Sequence, residues 1–151
     1  MKTFILSILN ILGLFVVIAT VGIYFINDVK WAGYALIALA ALCLVSLLPF
    51  KIKMKSAVPD VVFGALDGSV MTGFAIFGAH FAGVPGAIIG GVVGNAISDG
   101  IAGFFEGYSA EKLRRESISE KRTMLKSAVG KMAGCLLGAG LVLTIASLIK
   151  F

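Results

Sequence analysis

The sequence predicts an all-α, polytopic membrane protein, a single transmembrane domain over residues 1–151, and three observations carry that prediction. Hydrophobic residues make up 59% of the chain and charged residues only 14%, against about 25% charged in a soluble domain. The mean hydropathy is +1.03. Apolar stretches of about 20 residues, the length that crosses a bilayer, follow one another with short polar breaks. These values exclude a disordered chain and leave no length for a separate soluble domain.

Five transmembrane helices are expected from the apolar runs. The first covers about 4–26; this is too long for the apolar region of a signal peptide, about 7–15 residues, so a retained span is expected. Asn27 to Lys30 turn the chain. The second helix, about 31–50, opens on Trp31 and Tyr34, rings that favour the membrane interface, and stops at Pro49. A basic strip from Lys51 to Lys55 is expected at the headgroups. The third helix covers about 58–81, with Pro59 in its first turn, and the fourth about 85–107, after the hinge Ala82-Gly83-Val84-Pro85-Gly86. Residues 108–126 form the one long polar segment, read as a solvated, basic surface extension with mixed-sign neighbours such as Glu111 and Arg115. The fifth helix covers about 127–149.

The formal charge is +5. Its basic residues sit between apolar segments, where topology and anionic headgroups account for them, so no nucleic-acid partner is expected. Placing residues 1–3, 51–57 and 108–126 inside collects nearly all lysine and arginine there, leaving Lys30 and Lys150 outside. The expected topology is therefore a cytoplasmic N-terminus, a cytoplasmic 108–126 segment and an external C-terminus. Cys43 and Cys135 fall within apolar stretches and read as small hydrophobes.

Glycine spacing predicts the packing. Gly64 and Gly68 share one face of the third helix, Gly86, Gly90 and Gly94 one face of the fourth, and Gly130, Gly134 and Gly138 one face of the fifth. Small residues four apart let backbones approach where lipid supplies no hydrophobic drive between helices. A glycine-packed core of helices three to five is expected, with helices one and two as the lipid-facing periphery.

The chemistry concentrates on acids within apolar sequence. Ionisable residues at depth cost a few kcal/mol or more and commonly line a polar path. At about 1.5 Å per residue, Asp67 lies roughly 13 Å from the inside end of its helix and Asp99 roughly 12 Å from the same face. The two acids therefore share a level near mid-depth. Asn95, Asp99 and Glu106 share a face, with Glu106 near the inside mouth. Met71 shares the face of Asp67, and a thioether beside carboxylates suits a divalent transition metal. Carboxylates in a low dielectric exchange protons, which would couple metal movement to a proton gradient. The competing reading makes these acids structural, satisfied by Ser, Thr or Asn across the helix pair. His80, near the outer end, reads as interfacial or structural. No nucleophile–base pair or hydrolase spacing is visible, so no enzyme is expected, and no tightly bound cofactor.

The stretch Asp60 to Thr72 (DVVFGALDGSVMT) resembles the first-helix motif of the vacuolar iron transporter family, and Gly91 to Ser109 (GVVGNAISDGIAGFFEGYS) resembles its second helix. The likeness covers residues 58–112. It implies a homodimer, a path lined by these two helices, Asp67 and the acids of the next helix as cation ligands, and ferrous iron or manganese exchanged for protons. Ala102 and Gly103 occupy the region of the family's second-helix methionine, Glu106 is displaced by about one residue relative to Tyr108, and the family's acid-rich cytoplasmic helices are replaced by the short basic segment. The alternative from another class is a non-transporting scaffold or assembly protein whose glycine faces mediate oligomerisation.

Overall fold

The computed structural model describes residues 2–25, 28–52, 54–115 and 123–149, without the side chains of residues 2, 3, 29, 30, 55 and 105–115. Every described element is helical: α1 Lys2–Phe25, α2 Val29–Val45, α3 Met54–Arg115 and α4 Met124–Leu148, with a 3-10 turn at Leu48–Phe50. Four helices, not the expected five, are long and apolar enough to cross a membrane. The expected third and fourth helices are one element, the 62-residue α3, which leaves helical geometry only at Ala82 (φ −139°, ψ 21°) and Gly83 (φ 57°, ψ −137°). A φ of that sign at that ψ is a glycine conformation. It folds α3 back on itself without a loop.

The two limbs of α3, residues 54–81 and 84–115, then run antiparallel. Gly78 lies against Gly86, Phe74 against Gly90, and Met71 against Gly94. Pro85 opens the second limb, where its missing N–H breaks no helical bond. Pro59 was expected in a first turn; α3 instead begins at Met54 and holds it in the helix interior.

The expected apolar span 31–50 is present, but its α-helical part, α2, ends at Val45 because Pro49 cannot continue the hydrogen-bond ladder. Past Val45 the chain tightens through Leu47 N–H to the Leu44 carbonyl (3.1 Å) and Phe50 N–H to Leu47 (3.2 Å). Lys51 closes the turn in the left-handed region (φ 54°, ψ 29°). α4 starts earlier than expected, since Thr123 caps it: its hydroxyl accepts from Lys126 N–H at 3.3 Å. Of the basic 108–126 segment, residues 116–122 lie outside the described residues, while Met124, Leu125 and Lys126 belong to α4, the latter two buried.

α4 is the hub, packed on α3, on α2 and more lightly on α1. It runs parallel to the first limb of α3: Asp60 meets Gly130, Val61 meets Gly134, and Ala65 meets Gly138, while Gly64 and Gly68 press on the carbonyls of Lys131 and Cys135. A methyl group at Gly64, Gly68, Gly134 or Gly138 would overlap backbone, and one at Gly130 would press on the Asp60 side chain. The expected glycine seam between these helices is therefore present. The expectation that the first two helices are both peripheral is corrected for α2. Gly33 meets Gly140 and Thr144, and Gly140 meets Ile37, so the α2 backbone lies against α4 as well. α1 is peripheral, with Phe4, Leu9, Phe15, Val16 and Ile23 all exposed.

The core gathers Leu14, Cys43, Leu47, Ala57, Leu125, Val129 and Ala133. These contacts bring the end of α2, the start of α3 and the start of α4 to one end of the bundle. Both cysteines are free thiols, Cys43 fully buried.

Candidate functional site

The seam between the two limbs of α3 carries the polar cluster. Glycines at 86, 90 and 94 bring the backbones together, and one turn further on the side chain facing the first limb is Ser98, only 2% exposed. Its hydroxyl lies 2.5 Å from Asp67 Oδ1 and 3.0 Å from the Asn95 carbonyl. The Asn95 amide donates to Asp99 Oδ2 at 2.9 Å.

Level and azimuth therefore part company. Asp67 meets the second limb beside Asp99, at the matching height expected from the rise per residue. The residue that faces Asp67 is Ser98 rather than Asp99. One residue turns a helical side chain by about 100°, and Asp99 accordingly points away from the seam and is exposed, as are its neighbours Gly100 and Gly103. Met71 is partly buried, its backbone against Gly94. The Glu106 side chain lies outside the described part of the structure.

Ser98 has one hydroxyl hydrogen and two oxygens within reach. An ionised Asp67 accepts that hydrogen. A protonated Asp67 can donate to Ser98 instead, leaving the serine hydrogen for the Asn95 carbonyl. The seam accommodates Asp67 in either protonation state with the same atoms.

A buried acid, more enclosed than the partly buried Asp67, escaped the reading of the sequence. Asp60 is 3% exposed and accepts from Ser127 Oγ at 3.2 Å, tying the start of α3 to the first turn of α4. Asp60 and Asp67, seven residues apart, lie on nearly one face of the helix. The signal was available in that spacing, but Asp60 entered the sequence reading only as the first residue of the Asp60–Thr72 motif. Lys131 was also overlooked. It stands within α4 with its ammonium 4.1 Å from the centroid of the Phe63 ring, a geometry in which the ring face offsets part of the cost of a cation in apolar surroundings. His80 is exposed and packs edge-on against Phe81.

Among the described residues, no group of three or more His, Cys, Asp or Glu side chains is placed to hold a metal ion. Two separate pairs, Asp67 with Ser98 in the seam and Asn95 with Asp99 on the outer face, present oxygen and amide atoms. Carboxylate and carbonyl oxygen suit harder cations such as manganese better than soft ones.

No protein-family model, no curated protein and no solved structure matches the chain.

Proposed function

We propose that the chain is a membrane transporter of a divalent transition metal, iron or manganese, exchanged for protons by a homodimer. The observation that carries the reading is Asp67: a carboxyl partway along a membrane-length limb, bonded to Ser98 in an arrangement that serves both its protonation states. Metal and proton would compete for that carboxyl. Asn95 and Asp99 supply a second polar pair at the same level, turned to the outer face of the second limb. An acid facing lipid at that depth costs several kcal/mol, and a second copy packed on this face would remove the cost and add donors to each site. Met71 and Glu106 would assist, Glu106 from the cytoplasmic mouth. The resemblance of residues 60–72 and 91–109 to vacuolar iron transporters supports Asp67 and Asp99 as the site and leaves the choice of metal open. The proposed orientation keeps the basic end, with the N-terminus and residues 108–126, in the cytoplasm.

The scaffold reading has its own support. The seam of Gly64 and Gly68 with Gly134 and Gly138 is backbone-tight, and Asp67 is satisfied across the helix pair as a structural acid would be.

Flux in proteoliposomes separates the two. With an imposed pH gradient, the wild-type chain should move manganese or ferrous iron, and Asp67→Asn should not while remaining folded. Absence of flux for both metals, or flux by Asp67→Asn at the wild-type rate, refutes transport through Asp67.

A further inference from the structure

We infer that the basic end of the bundle carries a binding site for one anionic phospholipid, lodged between α1, the 3-10 turn and the start of α4. A cavity of about 500 Å³ opens there, walled by Leu6, Phe50, Ile52 and Leu125 and rimmed by Lys51 and Thr123. That volume is within the range of sites that hold small ligands, about 300–1,000 Å³.

Three features select the occupant. The walls are apolar side chains from three separate elements, which suits an acyl chain entering between α1 and the turn. The rim is cationic: Lys51 is exposed and its backbone is held in the left-handed region (φ 54°), uncommon for a residue other than glycine. The lysine is one of the residues that line the cavity. The third feature is the N-terminus of the 25-residue α4, whose cap Thr123 lines the same rim. The positive end of a helix dipole favours an anion. A headgroup phosphate would stand between Lys51 and the α4 terminus while its chain fills the apolar walls. Basic pockets at the membrane surface between helices recognise anionic headgroups in this way. A zwitterionic lipid brings a second cation to the lysine and is disfavoured.

The test uses the full chain in mixed micelles containing equal phosphatidylglycerol and phosphatidylcholine, with retained lipid counted by native mass spectrometry. The wild type should retain one phosphatidylglycerol per chain in about fivefold preference, the factor expected from one lysine near an anionic headgroup. Lys51→Gln should bring that preference close to parity, and Lys51→Arg should keep it. Leu6→Trp should reduce the retained lipid by narrowing the entrance between α1 and the turn; Leu6 and Lys51 are both exposed, so neither variant disturbs the core. Equal retention of the two lipids by the wild type overturns the site. So does an unchanged preference in Lys51→Gln, or undiminished retention in Leu6→Trp.

Discussion

The Ser98 hydroxyl stands 2.5 Å from Asp67 Oδ1 and joins the two limbs of α3 one turn from where Gly94 backs onto Met71. Removing the donor should therefore weaken the hairpin. Ser98→Ala leaves a partly buried carboxyl without this partner, and such losses cost about 1–3 kcal/mol. Asp67→Asn keeps an oxygen that accepts from Ser98 and should cost less than Ser98→Ala. Unfolding in detergent micelles by titration with a denaturing surfactant measures both. Equal stabilities of Ser98→Ala and wild type would show that the bond contributes nothing to the fold.

The glycines divide into two groups with opposite expected behaviour. At Gly68 and Gly134 an added methyl meets the backbone of the opposing helix, and backbone cannot swing aside as a flexible side chain can. Gly68→Ala or Gly134→Ala should cost about 3 kcal/mol or more. Gly73 has nothing within 4 Å of such a methyl, so Gly73→Ala should be neutral or stabilising by up to about 1 kcal/mol, the helix-propensity difference. The same unfolding measurement orders the three variants.

Gly83 separates conformation from space. Nothing lies within 4 Å of a methyl added there, yet its φ is +57°. Gly83→Ala should destabilise by about 1–3 kcal/mol through backbone strain alone. Ala82→Gly, at a negative φ of −139°, relieves no such strain and should change stability by less. A Gly83→Ala variant as stable as wild type would mean the hinge tolerates another geometry.

If a second copy covers the outer face of the second limb, bulk on that face should separate the copies and spare the fold. Gly103 has nothing within 4 Å in the single chain, so Gly103→Leu has room within the chain itself. Light scattering with correction for bound detergent should show a dimer for wild type and a monomer for Gly103→Leu, with unchanged thermal unfolding of each chain. A dimer that survives this substitution places the interface elsewhere.

Much of the architecture was legible because hydrophobic length and small-residue spacing are local properties. Run lengths located α1, α2 and α4 to within a few residues. The hinge was visible in Ala82-Gly83-Val84-Pro85-Gly86, although its compactness, with only two residues outside helical geometry, merged two expected helices into one. The seam of Gly64 and Gly68 against Gly134 and Gly138 followed from spacing of four. Levels along the limbs also followed, because a hairpin with a short turn ties depth to residue number.

Azimuth across a helix pair did not follow. A one-residue uncertainty leaves depth almost unchanged but rotates a side chain by about 100°, which is why Asp67 meets Ser98 while Asp99 turns outward. The start of α4 at Met124 and the burial of Lys126 depended on the Thr123 cap. The contact of Gly33 with Gly140 depended on which helix α2 lies against, information held by neither glycine's own spacing. Asp60 is an equal case: its carboxyl sits at a sequence edge, and only the approach of Gly130 and Ser127 buries it. The sequence alone determined a helical membrane-length chain, its hinge, its close-packing faces and the matching level of Asp67 and Asp99 along the two limbs, since each is written in neighbouring residues. The tertiary structure decided which groups meet across a seam and which face outward, since those depend on rotations about helix axes that only packing sets.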